Sequence, residues 1–279
     1  MLASRLPSIM PEMTAAEILE SSTIYSIAGQ LNSQTLVSVR PLRSIHHTAS
    51  AVSLTGGGAD ARPGEISLAH NGVLFMDELP EFNRGTLEIL RQPMEAGKIL
   101  ISRAKRNCTY PARFQLIAAM NPCPCGHLGN PAMSCSKAPR CAEAYQNKIS
   151  GPLLDRIDLH VEVDAVNPWE MNNDTTPSEP SAVIRERVVR ARDRQLARQG
   201  KVNAHLDGKE LEEFIVLDTT LTEFLNGAAQ KMGMSARGYN RIKRLARTIA
   251  DLPESDTIEM TDLAEPLSYL PISRGKFGV

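Results

Sequence analysis

The stretch that decides the fold is Gly72-Val-Leu-Phe-Met-Asp-Glu-Leu79, an apolar run that ends in two acidic residues. A short apolar run is typical of a strand buried on both faces of a parallel sheet. Ligands bind at the carboxyl ends of such strands, where Asp77 and Glu78 follow the run. One carboxylate there can bind Mg²⁺ and the second can act on an attacking water, which is the form of a Walker B motif. The alternative is a strand that merely ends in two exposed acids.

A second apolar run, Gln115-Leu-Ile-Ala-Ala-Met120, ends at Asn121 and Pro122. If the two runs are neighbouring parallel strands, Asn121 lies at the same sheet edge as the acidic pair. An amide at that place can orient the water that attacks a γ-phosphate, although an Asn that simply starts a turn is the alternative. The two strands together favour a nucleotide site, yet the sequence contains no G-x-x-x-x-G-K-[ST] phosphate loop.

Composition sets limits on the class of protein. The 279 residues are enough for one or two domains. A formal net charge of -1 gives no global basic field, so any nucleic-acid argument must depend on local clusters. The sequence has no apolar run of about 18 residues and no signal peptide, so we expect no membrane partner and a cytoplasmic location. In that compartment the five cysteines are expected to be thiols or metal ligands.

The order of the predicted elements divides the chain into two parts. Residues 167–180 contain three prolines and many Asn, Asp, Thr and Ser, which is typical of a linker. Residues 1–166 before it predict a parallel sheet flanked by helices, with a last strand that ends at Val163. Residues 181–279 predict helices over 181–199, about 209–215, 219–232, 235–251 and 261–270. This layout indicates an α/β nucleotide-binding core followed by an all-helical lid.

Local signals define several boundaries within the core. Thr14 and Glu17 form a capping box that predicts a helix to about Leu31. Asn83 caps another helix that ends near Gly97, with Pro93 as an awkward residue inside it. A basic turn between 98–103 and 107–114 predicts a hairpin, and the polar stretch around His46, His47 and Gly56 predicts a long loop or an inserted hairpin.

Two arginines are candidates for contact with phosphate. Arg156 lies among apolar residues in Leu153-Leu-Asp-Arg-Ile-Asp158, where a guanidinium can stabilise a transferring phosphoryl group, usually that of a neighbouring subunit. A local salt bridge with Asp155 or Asp158 is the alternative. Arg237 lies in the first turn of a lid helix, where it can reach phosphates, and the alternative there is a solvated basic helix.

The cysteines suggest a metal site. Four thiols within a short Pro- and Gly-containing segment suit a tetrahedral structural zinc site, although the usual paired C-x-x-C spacing is missing. The four are Cys123, Cys125, Cys135 and Cys141. His127 is a substitute ligand, and reduced cysteines without metal are the alternative. Cys108 stands apart and indicates ordinary packing.

Two basic clusters are candidates for nucleic-acid contact. The first is the hairpin segment 98–113, which carries no acid and whose cationic tip suits the phosphate backbone of DNA. Its candidate DNA-binding residues are Lys98, Arg103, Lys105 and Arg106. The second is 181–199, with six arginines, for which a solvated charged face is the better interpretation. His46 and His47 are adjacent and do not favour a metal pair.

These residues occur in an order that resembles a known family, the magnesium-chelatase-like AAA+ proteins of the YifB/ComM type. The similar stretches run along the chain from residue 1 to about 270. They are Arg40-Pro-Leu-Arg-Ser-Ile-His-His-Thr48, Pro63-Gly-Glu-Ile-Ser-Leu-Ala-His-Asn-Gly72, Val73-Leu-Phe-Met-Asp-Glu-Leu-Pro80, Ala118-Ala-Met-Asn-Pro-Cys-Pro-Cys-Gly126 and Gly151-Pro-Leu-Leu-Asp-Arg-Ile-Asp-Leu-His160.

The resemblance implies a P-loop AAA+ ATPase that uses ATP with Mg²⁺. A better-understood member is a hexameric DNA helicase that promotes branch migration on single-stranded or branched DNA during natural transformation. The implied roles are Walker B for Asp77 and Glu78, sensor 1 for Asn121, arginine finger for Arg156 and sensor 2 for Arg237. The implied segments are a helix-2 insert over about 32–70, a pre-sensor-1 hairpin over about 98–113 and a Cys-rich insert over 122–141.

The chain departs from the family pattern at its beginning. Members carry a phosphate loop ending in Gly-Lys-Thr just before a segment like Met1-Leu-Ala-Ser-Arg-Leu-Pro7, so the resemblance predicts a fragment that starts after Walker A. Without the amides and lysine of that loop, we expect the chain alone to hydrolyse ATP poorly or not at all. Two other interpretations stay open: a chelatase motor subunit that drives metal insertion into a porphyrin, and a zinc-stabilised module that binds DNA or a partner without turnover.

Overall fold

A computed structural model describes residues 2–31, 35–58, 60–103, 106–126, 137, 139–163 and 178–270. The chain forms two compact units that meet in sequence between Ile157 and Asp158, and Ser8–Pro11 cluster with the second unit. The predicted linker at 167–180 lies mostly outside the described residues and stays a prediction. None of the described helices is both long enough and apolar enough to cross a membrane.

The first unit contains a parallel sheet and two short hairpins. Its strands are β1 Leu42–Ile45, β2 Gly56–Gly57, β3 Arg62–Pro63, β4 Val73–Met76, β5 Lys98–Arg103, β6 Arg106–Pro111 and β7 Gln115–Ala118. Its helices are α1 Leu2–Ile9, which runs into Ser8–Pro11, then α2 Ala15–Ile27, α3 Ala51–Thr55, α4 Glu65–Leu68, α5 Arg84–Ile89, α6 Arg91–Ala96, α7 Arg140–Gln146 and α8 Gly151–Leu154. A 3-10 turn covers Leu79–Glu81.

The main sheet has the order β1-β4-β7, and both pairings are parallel. The apolar run predicted as a buried strand is its central strand β4, in which Val73, Leu74 and Met76 are fully buried. The second predicted run is the neighbouring strand β7. Strand β1 was not predicted, and it lies inside the range 32–70 that the sequence assigns to an insert. The predicted class of a parallel sheet flanked by helices is confirmed.

Gly72 allows β1 and β4 to lie close together at their amino-terminal ends. The amide of Val73 donates to the carbonyl of Pro41 at 2.8 Å. A Cβ atom added at Gly72 would lie 2.1 Å from the same carbonyl oxygen, which is a severe clash with backbone. Glycine is therefore required at this position by the close approach of two chain segments.

Helix starts agree with the capping signals. Thr14 and Glu17 form both bonds of the predicted capping box, and the helix ends at Ile27 rather than near Leu31. Asn83 caps α5 by accepting a hydrogen bond from the amide of Gly85. The helix predicted to run to Gly97 is interrupted at Leu90, so that Pro93 lies in the first turn of α6, where its missing N–H is tolerated.

The predicted basic hairpin is present as β5 and β6, paired antiparallel. Its inner face is anchored in the core by Ile99, Ile101 and Tyr110, and the Tyr110 hydroxyl donates to the carbonyl of Ala61 at 2.9 Å. The hairpin is therefore held against the loop between β2 and β3. Lys98 lies on its exposed face.

The second unit is helical, as the sequence predicts for residues 181–279. Its helices are α9 Ser181–Gln199, α10 Gly208–Phe214, α11 Thr219–Met232, α12 Ala236–Asp251 and α13 Met260–Ser268. Their apolar faces enclose a core that includes Leu211, Leu225, Ile242 and Leu263. Ser235 caps α12 by accepting a hydrogen bond from the amide of Gly238.

Charged side chains in this unit are paired rather than merely solvated. Arg190, Arg194 and Arg198 of α9 contact Glu254, Asp256 and Asp251 respectively. These contacts explain why a segment with six arginines can pack against the end of α12. The prediction of a solvated charged face for 181–199 is therefore only half correct, because several of its arginines are ion-paired.

The predicted last strand of the core is wrong. Residues 157–163 form neither a helix nor a strand, and they pair with no strand in the described part of the chain. Leu159, Val161 and Val163 are consequently exposed to solvent. The apolar and charged alternation was real, but a strand also requires a partner that offers free backbone groups.

Candidate nucleotide site

The two predicted strand ends lie side by side. Met76 of β4 is in register with Ala118 of β7. The ladder continues beyond the strands, since the amide of Ala119 donates to Met76 at 2.9 Å and the amide of Leu79 donates to Ala119 at 3.0 Å. Asp77 directly follows β4 and Asn121 follows β7, and both are exposed at this carboxyl edge of the sheet.

The acidic pair has a constrained backbone. Glu78 adopts a left-handed conformation with φ 51°, which is unusual for a residue with a Cβ. The amide of Glu78 donates to Oδ1 of Asp77 at 2.9 Å. A non-glycine residue in this region of φ and ψ reduces the stability of the fold by about 1–3 kcal/mol, and such residues cluster at functional sites. The strained turn therefore places two exposed carboxylates directly after the end of one strand.

His47 contacts the second of these carboxylates. Its Nδ1 atom lies 3.1 Å from Oε2 of Glu78. The imidazole is placed there because Ile45 of β1 is in register with Met76 of β4, so residues just beyond both strands are neighbours. Its ring also meets the edge of Phe82, and the adjacent His46 bonds Thr48 instead. His47 is thus a member of the candidate site.

A third group of residues joins the site from α7 and the turn after it. Lys148 lies 3.4 Å from Glu81 and 5.0 Å from the centre of the Tyr145 ring. Burial raises the pKa of the Tyr145 phenol, and the charge of Glu81 and a hydrogen bond to it raise that pKa further. The charges of Glu78 and Cys123 act in the same direction. Tyr145 is therefore within electrostatic reach of both the acidic turn and Cys123.

Arg156 is engaged within its own unit. Its guanidinium forms an ion pair with Glu95 and donates to the carbonyl of Pro152. The side chain is only 12% exposed, whereas that of Glu95 is 48% exposed. The alternative to a phosphate contact was a salt bridge of Arg156 with Asp155 or Asp158. In the structure Arg156 forms an ion pair with Glu95.

Arg237 lies in the second unit, exposed in the first turn of α12. Other cations of this helix are occupied inside the unit. Arg241 lies 3.6 Å from Asp158, Arg244 donates to the carbonyl of Leu206, and Arg247 contacts Asp251 at 3.2 Å. The alternative of a solvated basic helix therefore does not describe these three residues.

The cysteine segment is described in part. The Sγ atoms of Cys123 and Cys125 lie 3.3 Å apart, Cys141 lies on α7, and Cys135 and His127 fall outside the described residues. Within the described ranges no three His, Cys, Asp or Glu side chains are grouped to hold a metal ion. The zinc prediction thus has no support in this part of the chain.

The candidate DNA-binding residues lie on the hairpin. Lys98 is exposed at the start of β5. Arg103 and Arg106 form the last pair of the ladder, as far as their backbone is described, and Lys105 is outside the described residues. The hairpin geometry is confirmed, and its contact with DNA stays a prediction.

Sequence reasoning did not predict His47, Glu81, Glu95, Tyr145 or Lys148. Two adjacent histidines carry no sequence signal for a contact with Glu78. The missing signal was strand β1, since a parallel partner of β4 would have placed residues 46 and 47 beside 77 and 78. Glu95 and Tyr145 carried no sequence signal, because their partners are distant in the chain.

Comparison with known proteins agrees with this geometry. The family model described as magnesium chelatase, subunit ChlI, matches residues 1–171. The model of the ChlI C-terminal region matches residues 178–270. The chain belongs to the magnesium-chelatase-like family. The observed parallel sheet flanked by helices and the helical C-terminal region are consistent with the AAA+ core and helical lid predicted from the sequence.

Relatives of this magnesium-chelatase-like chain include bacterial and plant proteins. YifB of Escherichia coli is 46% identical over 98% of the chain and 54% of its own length. The competence protein ComM of Haemophilus influenzae is 46% identical over 98% of the chain and 53% of its own length. The chloroplastic magnesium-chelatase subunit ChlI of Nicotiana tabacum is 22% identical over 76% of the chain and 45% of its own length. The chain spans about half the length of the curated relatives it matches.

Proposed function

We propose that the whole protein to which this chain contributes is an ATP-driven motor that acts on DNA. The observation that carries the proposal is the alignment of Met76 with Ala118, which brings Asp77, Glu78 and Asn121 to one edge of a parallel sheet. This edge is where nucleotides bind in open α/β sheets. Oxygen ligands from one carboxylate suit Mg²⁺, and the second carboxylate suits a base for water.

The proposal assigns one role to each group. Asp77 binds the Mg²⁺ of ATP, Glu78 activates the attacking water, and Asn121 orients that water toward the γ-phosphate. His47 sets the position of the Glu78 carboxylate through its 3.1 Å contact. The phosphate loop that cradles a triphosphate in such motors is not among these 279 residues.

Two arginines complete the proposed machinery. Arg156 acts on the nucleotide of a neighbouring subunit, and Arg237 senses bound phosphate from the lid. A residue that acts in a neighbour's site requires a ring, for which a hexamer is the proposed form. In this assembly the ion pair between Arg156 and Glu95 must open or turn before the guanidinium can reach a phosphate.

The proposed substrate is single-stranded or branched DNA, and the proposed reaction is helicase action with branch migration during recombination. The similarity to the competence protein ComM supports this choice. The basic hairpin supports it too, because Lys98 is exposed and no acid occurs in 98–113. Contacts of this kind are made to the phosphate backbone and are sensitive to salt rather than to sequence.

The test of the motor is DNA-stimulated ATP hydrolysis and unwinding of a branched DNA by the full-length protein. Substitution of the base, Glu78→Gln, is expected to lower turnover by about 10²–10⁴-fold while ATP still binds. For DNA contact, Lys98→Glu is expected to weaken binding and lower its salt dependence, while the matched control Lys209→Glu on α10 leaves both unchanged. Equal effects of the two lysine variants would contradict a role for the hairpin.

A chelatase motor is the second candidate, since the matching family model and the tobacco relative carry that name. The 22% identity to the tobacco subunit is much lower than the 46% identity to ComM. The two candidates differ in what stimulates ATP hydrolysis. Stimulation by chelatase partner subunits and porphyrin, with no response to DNA, would favour the chelatase.

A further inference from the structure

Two thiols face each other in the segment that directly follows Asn121. The Sγ atoms of Cys123 and Cys125 lie 3.3 Å apart, with Pro124 between the two residues. Both are free cysteines in the structure. Cys123 is 1% exposed, whereas Cys125 is open to solvent. The pair therefore combines an accessible thiol with a protected thiol at van der Waals distance.

This asymmetry fits a redox pair. An exposed thiolate can attack a disulfide that arrives from solution. A buried thiol beside it can then resolve the mixed disulfide that forms. The sulfurs of a disulfide lie about 2.05 Å apart, so the two atoms need to approach by only about 1.2 Å. We propose that Cys123 and Cys125 are a reversible dithiol-disulfide switch, oxidised by exchange with a low-molecular-weight disulfide such as oxidised glutathione.

The exchange proceeds in two steps. The Cys125 thiolate attacks one sulfur of glutathione disulfide, which breaks its S–S bond, forms a mixed disulfide and releases one glutathione thiolate. The Cys123 thiolate then attacks the Cys125 sulfur, which forms the protein disulfide and releases the second glutathione thiolate. Two protein thiols lose two electrons and two protons, and one glutathione disulfide becomes two glutathione thiols.

The position of the pair links it to the acidic strand end. Pro122 joins the pair to Asn121, and its carbonyl accepts a hydrogen bond of 2.9 Å from Nε2 of Gln146 on α7. The pKa of the neighbouring Tyr145 responds to the acidic residues Glu81 and Glu78 and to Cys123. A disulfide would constrain the backbone of 123–125 and so shift Asn121 relative to Asp77. That consequence depends on the proposed function, whereas disulfide formation itself does not.

A redox pair needs only the two thiols that the structure brings together. A thiolate metal site requires further ligands, and within the described ranges no group of three suitable side chains exists. Metal content is a readout of the test, because Cys135 and His127 lie outside the described residues.

The experiment equilibrates the 279-residue chain without oxygen in buffers of graded oxidised-to-reduced glutathione ratio. Samples are quenched in acid, and one alkylating reagent marks the free thiols. After reduction, an isotopically different reagent marks the oxidised ones, and tandem mass spectrometry assigns each cysteine. The expected result is that Cys123 and Cys125 oxidise together and to the same extent, and that both return to thiols at low ratio. Cys108→Ser is the matched control and is expected to leave this titration unchanged.

The variant Cys123→Ser gives a second test, because it removes the resolving thiol and keeps the attacking thiol of Cys125. It is expected to trap Cys125 as a stable glutathione adduct. An adduct that persists on Cys125 in the unsubstituted chain, a disulfide to another cysteine, or a stoichiometric metal ion that protects both thiols would each overturn the proposal. Because the readout is mass and not ATP turnover, an inactive ATPase would overturn the proposed function and leave this result standing.

Discussion

The Nδ1 atom of His47 lies 3.1 Å from Oε2 of Glu78, across the carboxyl ends of two parallel strands. Glu78 is the residue to which the proposed function assigns the activation of water. In the proposed function this contact makes His47 a positioning residue, because it holds the Glu78 carboxylate in one orientation.

Removal of this contact is expected to change ATP turnover of the full-length protein without unfolding it. His47→Ala should alter the rate by less than about tenfold, since it removes an orienting bond and not the base itself, whose loss costs about 10²–10⁴-fold. The KM for ATP should stay within about twofold of the parent value, because the imidazole contacts a carboxylate and not the nucleotide. Steady-state kinetics and a thermal melt measure both effects.

His46→Ala is the control for this prediction, because His46 is adjacent but bonds Thr48. It should leave turnover unchanged. If the two variants have the same kinetics, the contact between His47 and Glu78 has no role in turnover.

The ion pair between Arg156 and Glu95 gives a second prediction. Arg156→Ala should abolish turnover in the assembled protein, since an arginine finger is worth about 10³–10⁵-fold. Glu95→Gln should preserve or raise turnover. It removes the charge that holds the Arg156 guanidinium, and it leaves Arg156 itself unchanged. The pair is partly exposed at Glu95, so its loss should cost less than about 1 kcal/mol of stability.

Mixing the two variants in one assembly separates action within a subunit from action across subunits. Arg156→Ala subunits should recover turnover when mixed with Asp77→Asn subunits that supply an intact arginine to the neighbouring site. If instead Glu95→Gln is as inactive as Arg156→Ala and both lower the melting temperature equally, Arg156 serves only to hold the fold.

The buried carboxylate Asp251 gives a third prediction, on stability. It is fully buried and receives Arg198 at 2.8 Å and Arg247 at 3.2 Å, with Asn203 as a further donor. Asp251→Ala should lower the free energy of unfolding of the helical unit by about 3 kcal/mol, because the buried guanidinium of Arg247 and the partly exposed one of Arg198 lose their partner. Glu254→Ala removes the exposed pair with Arg190 and should cost less than about 1 kcal/mol. Equal costs in a urea melt would contradict the buried network.

Asp251 also sets a pH dependence. Burial by itself raises the pKa of Asp251, but hydrogen bonds from Arg198 and Asn203 and the nearby charge of Arg247 outweigh it, so the pKa lies below the ordinary value of 3.8. A lowered folded-state pKa stabilises the folded state above the unfolded pKa, and this stabilisation is lost as pH falls through the folded value. Urea melts of the parent chain should therefore lose stability below about pH 4 more steeply than melts of Asp251→Ala. Parallel curves would contradict the assignment.

Gly72 gives a prediction about the sheet that positions the site. Gly72→Ala places a methyl group 2.1 Å from the carbonyl of Pro41. Because the neighbour is backbone and cannot turn aside, the substitution should cost at least about 1–3 kcal/mol of stability. Gly227→Ala on α11, where added volume meets nothing, should be neutral or slightly stabilising. A Gly72→Ala protein as stable as the parent would show that Gly72 does not lie as close to the Pro41 carbonyl as the structure indicates.

The sequence predicts the parts of the fold that have strong local signals. The apolar runs that form β4 and β7, the capping box of Thr14 and the cap at Asn83 all depend on neighbours in sequence. Strand β1 could not be found in this way. Its residues Leu42-Arg-Ser-Ile45 are half polar and form no apolar run, and Arg43 pairs with Glu65 at 2.6 Å.

The candidate site is predictable to the same extent. Asp77, Glu78 and Asn121 follow buried strands, so their common edge follows from the sheet alone. His47 and Glu95 enter through contacts that depend on how distant segments pair. The role of every site residue in turnover is still a prediction, which the kinetics above address.

The most direct measurement of the central claim is ATP hydrolysis by the full-length protein, with and without branched DNA, compared with its Asp77→Asn and Glu78→Gln variants. We expect DNA-stimulated turnover in the parent protein. We also expect weakened Mg²⁺-dependent ATP binding in Asp77→Asn, and bound but unhydrolysed ATP in Glu78→Gln. Turnover that is unaffected by either substitution would contradict the claim that the carboxyl edge of β4 and β7 is the catalytic site.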